Sequence, residues 1–204
     1  HSTDRLVNPS ERPILGVAMA KQKTDEQGIL EASLRLFRQK SFHATSMADI
    51  AEACGLQKGS LYHYFSSKEE LMQKVIALVH GFFNDQVFSI AYDEAIEDPI
   101  ERLDQMLQRT MRIFVDKETG EMLGNVGVET ALVIPEFQPI IRAFFDDFFR
   151  AVRHVYEHKY PKDVAHELAE RAVAEIEGSL VLSRIFEDNH FIMKTHQRLL
   201  ARLR

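Results

Sequence analysis

Ten positions between residues 45 and 68 carry groups suited to one kind of chemistry: Thr45, Ser46, Gln57, Lys58, Gly59, Ser60, Tyr62, His63, Tyr64 and Lys68. Gln can make paired hydrogen bonds with adenine, and Lys can reach the O6 and N7 of guanine. Gly59 lets the backbone come close to a base or a phosphate. Tyr and His offer hydrogen bonds to phosphate together with flat faces. Thr45, Ser46 and Lys68 fall at predicted helix starts, where free N–H groups and the helix dipole attract an anion. Together these groups suit recognition of double-stranded DNA.

Short helices must present them. Ser46 and Asp49 form a capping-box-like pair before a helix that Gly55 stops after Cys54. A second short helix starts at Leu56 or Gln57. A third starts at Ser67, where Ser67 and Glu70 form a capping box, and is predicted to run from Lys68 to about Tyr92. A helix-turn-helix needs a small residue at the crossing, Ala51. It needs a sharp turn four residues later, Gly55, often at positive φ. Six residues further on it needs an apolar plug, Leu61, with Ile50 and Leu56 flanking. All five positions fit. The spacing alone also occurs in helical hairpins without function, but KGSLYHYF at 58–65 holds more aromatic and polar groups than packing one face requires. Before this unit, Ile29, Ala32, Ser33, Leu36 and Phe37 lie on one face of a helix capped by Thr24 or Asp25 and ending near Lys40.

The 204 residues are 45% hydrophobic and 27% charged, which excludes wholesale disorder. With 9 Gly and 6 Pro, the chain has few turns for a sandwich or barrel. A lone cysteine, Cys54, excludes a disulfide framework and fits a reducing cytoplasm; beside the turn it reads as a small core residue. No apolar run reaches the roughly 18 residues of a membrane span. The net charge is −6, divided as 0 over residues 1–20, +1 over 21–80 and −7 over 81–204. The acidity belongs to the C-terminal part, so the first third is free to approach a polyanion. Residues 1–23 read as an arm, and His1 suggests a processed start.

The remaining chain reads as helices. Asp98-Pro99 caps and opens one of them, followed by Leu103, Met106, Leu107, Met111 and Phe114. Others are expected at about 121–133, 139–160 and 163–187, and at the C-terminus. A small-molecule pocket is expected between the helices at 99–115, 121–133 and 139–155. Met106, Met111, Met122 and Phe148 would supply adaptable apolar walls, with Arg109, Asn125 and Glu129 as convergent polar groups. An ordinary Met-containing core stands as the alternative. Phe145, Phe149, Ala172, Ile176, Gly178, Ser179 and Ser183 are the candidates for a dimer seam, the small residues allowing close helix crossing. Two other classes compete. A di-iron bundle enzyme would use Glu-x-x-His pairs, and Glu187 and His190 have that spacing, with Asp163 and His166 a loose second copy. A helical adaptor that binds only protein leaves Gln57, Lys58 and Tyr62 unexplained. His154 and His158, four apart, read as exposed histidines.

The segment Ile29–Leu71 resembles the TetR family of one-component bacterial repressors. The resemblance is carried by ILEASLRLF at 29–37, TSMADIAEACGLQKGSLYHYF at 45–65 and SKEEL at 67–71. It implies that the helix from Gln57 to Tyr64 is the recognition helix. It places Thr45, Ser46, Tyr64 and Lys68 at phosphates and Gln57, Lys58, Gly59 and Tyr62 near bases. Ser41 stands where the family usually has Gly, and Gly28 where Ala is common. TGEMLGNVGVETA at 119–131 resembles a branch in which Cys often follows the first Gly; Glu121 stands there, which argues against a cysteine sensor. IEGSLVLSRIF at 176–186 resembles the late dimerisation helix. The expected fold is all-α: an arm (1–23), a three-helix helix-turn-helix DNA-binding domain (24–70) and a helical effector-binding and dimerisation domain (71–204). The expected protein is a cytoplasmic homodimeric repressor without a cofactor, released from its operator by a small apolar or aromatic effector.

Overall fold

Asp25 opens the first helix by accepting a hydrogen bond from the Gly28 N–H at 2.9 Å. A computed structural model describes residues 25–115, 130 and 134–204. Among them the fold is all-α. Helix α1 (Glu26–Lys40) is followed by α2 (Met47–Ala53), α3 (Lys58–Tyr64), α4 (Lys68–Gln86) and α5 (Pro99–Val115). Then come α6 (Gln138–Tyr156), α7 (Lys162–Ile185) and α8 (His190–Leu203). Two 3₁₀ turns, Phe88–Tyr92 and Pro135–Phe137, lead into later elements, and the described residues include no strand. The expected arm and the expected helix at 121–133 lie outside the described residues, apart from Thr130.

Local signals account for the starts of α1, α2, α4 and α5. Ser46 and Asp49 make a full reciprocal capping box. Ser67 caps α4 through the Glu70 N–H at 3.0 Å. The Glu70 carboxylate, however, takes the Ser66 N–H and hydroxyl, at 2.8 and 2.5 Å. Helix α4 stops at Gln86, short of the predicted Tyr92, because Val87 leaves helical geometry. That break turns Phe88 inward, where its ring stacks on Phe148 at 5.1 Å and meets Phe83 and Phe144.

Helix α7 also ends earlier than expected. Glu187 takes a φ of 51°, and the Asp188 N–H bonds the Ser183 carbonyl at 3.0 Å, a Schellman closure. Glu187 and His190 therefore do not share a helix, and the bundle-enzyme reading loses its better Glu-x-x-His pair. Among the described residues no group of three or more His, Cys, Asp or Glu is placed to hold a metal ion.

One apolar core runs from Ile29 in α1 to Leu203 in α8 without a break. Helix α1 packs on α4, and α4 continues from the helix-turn-helix into the C-terminal helices, where α6 packs on α4, α5 and α7. His80 of α4 and Asp147 of α6 meet at 2.7 Å, and His196 of α8 and Asp104 of α5 at 2.6 Å. No helix among the described residues is long and apolar enough to cross a membrane.

Candidate nucleic-acid interface

The turn between α2 and α3 uses Gly55 at a φ of 66°, the left-handed geometry the spacing requires. The Leu56 N–H then bonds the Ala51 carbonyl at 2.8 Å. Ile50, Ala51 and Leu61 are buried, with Leu56 packed against them. Leu61 and Phe65 anchor α3 in the core, so the opposite face must point outward. Gln57 is the N-cap of α3 through its backbone: its carbonyl accepts the Ser60 and Leu61 N–H groups, and its side chain makes no cap bond.

The outward face carries Gln57, Lys58, Gly59, Tyr62, His63 and Tyr64, all exposed, with Ser60 half-buried beside them. Tyr62 and Tyr64 are 45% and 44% exposed, so each side chain is partly covered by the protein. A Cβ built on Gly59 meets nothing within 4 Å. The chain's own packing therefore places no demand for glycine there. Ser46, exposed at the start of α2, completes this surface.

Two residues expected at phosphates, Thr45 and Lys68, have their polar atoms engaged within the chain. Thr45 is buried, and its hydroxyl donates to the Ser41 carbonyl at 2.7 Å. The Lys68 ammonium donates to the carbonyls of Phe42 and Thr45, both at 2.9 Å, and sits 4.2 Å from the centre of the Phe42 ring. Both side chains close the turn between α1 and α2. The acceptors they use are backbone carbonyls, which leave no side-chain signature in the sequence.

Asp49 holds that turn from the other side. The Ser46 hydroxyl and N–H donate to its carboxylate at 2.5 and 2.8 Å, and Lys40 lies 3.3 Å away. These bonds hold its pKa down at about 2, the Ser46 hydroxyl contributing most. Cys54 is half-buried beside the turn, and burial pushes its thiol pKa up, which disfavours the thiolate.

The other sequence-derived candidates separate. Met106 and Phe148 are buried in the core and Met111 is half-buried against it, while Met122, Asn125 and Glu129 lie outside the described residues. Arg109 donates to Gln86 Oε1 at 3.0 Å, at the end of α4. Ala172, Ile176, Ser179 and Ser183 are buried within the single chain, and Phe145 and Phe149 are half-buried against its core. That row of α7 packs inside the single chain. Its exposed row is Ala174, Gly178, Val181, Leu182 and Ile185, which ends at exposed Phe186. Of the candidate seam residues on α7, Gly178 lies on this exposed row and the others on the buried one; both rows carry small or apolar residues. His154 lies half-buried under Tyr92, ring centres 4.6 Å apart, and perpendicular to His158 at 5.5 Å.

Comparison with known proteins agrees with this geometry. Residues 29–75 match the family of bacterial regulatory proteins of the TetR type, and residues 99–198 match the C-terminal domain of LmrA/YxaF-like transcriptional regulators. The HTH-type transcriptional regulator YxaF of Bacillus subtilis is 28% identical over 174 residues, spanning 83% of this chain and 90% of its own. A TetR transcriptional regulator from Legionella pneumophila superposes with a TM-score of 0.76 at 20% identity, over 84% of this chain and 92% of that one. AibR, solved in complex with isovaleryl coenzyme A and operator DNA, superposes at 0.63 with 19% identity, over 86% of this chain and 95% of its own. With a helix-turn-helix whose outward face suits base edges, and with both halves of the chain matched, this protein belongs to the TetR family and is a DNA-binding transcriptional regulator.

Proposed function

We propose that the chain is a homodimeric, cytoplasmic repressor that reads its operator with α3 and leaves it when a small apolar or aromatic effector binds the C-terminal helices. Residues 24–70 serve as the DNA-binding part and 71–204 as the regulatory part. The observation that carries the reading is the outward row of α3, Gln57, Lys58, Tyr62 and His63, raised on buried Leu61 and Phe65. Gln57 and Lys58 read base edges, while Ser46 and Tyr64 hold phosphates on either side.

The dimer rests on α7. Val181, Ile185 and Phe186 are 50%, 68% and 63% exposed, and Met193 of α8 is 53% exposed. Apolar side chains of this size at i, i+4 and i+5 are costly in water and are covered when a second copy supplies the same face. Gly178 fits this arrangement, since beyond its own helix backbone and chain neighbours a Cβ built there meets nothing within 4 Å. Two such copies would set two recognition helices on one side of DNA, about 34–36 Å apart.

The effector reading is supported by the Met and Phe content of α5 and α6, with Met106, Met111 and Phe148 in or against the core. Release follows when the effector binds better to a conformation in which the two α3 helices are mis-spaced. The test is selection from a random duplex library with purified protein. An inverted repeat with half-sites one helical turn apart is the expected product; failure to enrich any sequence contradicts the proposal.

A further inference from the structure

We infer that Phe137, from the turn that opens α6, is a positioning residue for the recognition helix, acting through Phe42. The inference rests on the DNA-binding reading above and adds a second connection between the C-terminal helices and the helix-turn-helix, beside α4 itself.

Phe42 is the joint. It follows Ser41, whose φ of 70° turns the chain sharply at the end of α1 and directs the Phe42 ring inward to 2% exposure. Among the described residues, the neighbouring His43 ring lies 5.5 Å away and three partners from other elements hold the Phe42 ring. Phe37 of α1 lies at 5.7 Å between ring centres, the Lys68 ammonium of α4 at 4.2 Å, and Phe137 edge-on at 5.4 Å and 88°. Phe137 itself is fully buried. Aromatic rings packed edge to face transmit displacement, because close-packed interiors leave no play to absorb it.

The Phe42 backbone passes the displacement on. Its carbonyl accepts from Lys68 at 2.9 Å and from the Thr45 N–H at 3.4 Å, and Thr45 directly precedes the Ser46 cap of α2. Helix α2 packs on α3. A movement of the Pro135–Phe137 turn therefore reaches the start of α2, and through it the recognition helix, without passing along α4. Thr130 connects to this turn as well, its carbonyl accepting the Ile134 N–H at 2.8 Å.

The experiment compares Phe42→Leu, Phe137→Leu, the double variant and Phe144→Leu, a buried ring in the middle of α6 that serves as control. Affinity is measured on the duplex that wild-type protein selects, and amide exchange is followed across residues 46–64. Each of the first two single variants should weaken binding by about 2- to 10-fold, the worth of one aromatic pair. The double variant should be no weaker than the worse single, and exchange in α2 and α3 should quicken in all three. Phe144→Leu should lower thermal stability while leaving affinity and exchange in 46–64 unchanged. If Phe137→Leu lowers stability only, or if the two losses simply add, Phe137 is a packing residue and the inference is overturned. If wild-type protein selects no duplex, the DNA-binding reading fails, while the exchange measurement still decides whether Phe137 couples to α2 and α3.

Discussion

Ser41 is the residue with the most visible strain. Its φ of 70° and ψ of 167° lie in a region where glycine alone is at ease. Ser41→Gly should raise stability by about 1 kcal/mol, read as an upward shift of the urea midpoint at unchanged slope. Asp49 makes a second prediction. Its carboxyl is held at about 2 by Ser46 and Lys40, against roughly 4 in an unfolded chain. A depressed pKa contributes stability above the unfolded value and loses it as pH falls through the folded one. Wild-type protein should therefore lose stability between about pH 4 and pH 2 more steeply than Asp49→Asn, by thermal melts across that range. Lys68, whose ammonium is spent on two carbonyls, should behave differently from a phosphate contact. Lys68→Met should weaken DNA binding with the salt slope unchanged, whereas losing a contacted phosphate flattens it by about 0.9. Ser41 could be noticed in the sequence as an unusual residue at a turn, but Lys68 could not be placed, since its acceptors are main-chain atoms brought together by folding.

At the scale of elements, capping and turn residues carried most of the information. Asp25, Ser46, Gly55, Ser67 and Pro99 each sit where a helix begins or ends, because each satisfies or tolerates a specific backbone need. The end of α4 was not legible. Gln86 to Phe88 contains no breaker, and the helix stops there because Phe88 gains more by joining Phe148 and Phe144 in the core. The face of α7 was not legible either, since periodicity gives two candidate rows and only neighbouring helices decide between them. The exposed row now carries the dimer prediction. Val181→Glu with Ile185→Glu should convert a dimer into a monomer in sedimentation at micromolar concentration. Ala172→Ser, on the inner row, should leave the assembly intact and cost stability alone. A wild-type protein that sediments with the mass of one chain would remove the dimer from the account.

For the whole molecule, the continuous core from α1 to α8 means that the DNA-reading face and the regulatory helices share one packed interior. Phe148 lies in that interior against Phe88, just past α4. Phe148→Ala should blunt the response to an effector that dissociates wild-type protein from its selected duplex, with effector-free affinity within about twofold of wild type. The central claim is that α3 reads bases. Its most direct test pairs side-chain and base-pair changes: Gln57→Ala and wild-type protein are titrated against the selected duplex and against duplexes with each half-site position substituted in turn. Wild-type protein should lose about 1–3 kcal/mol at one position or two adjacent positions, and Gln57→Ala should be indifferent there while discriminating normally elsewhere. Equal discrimination by both proteins at every position would contradict that claim.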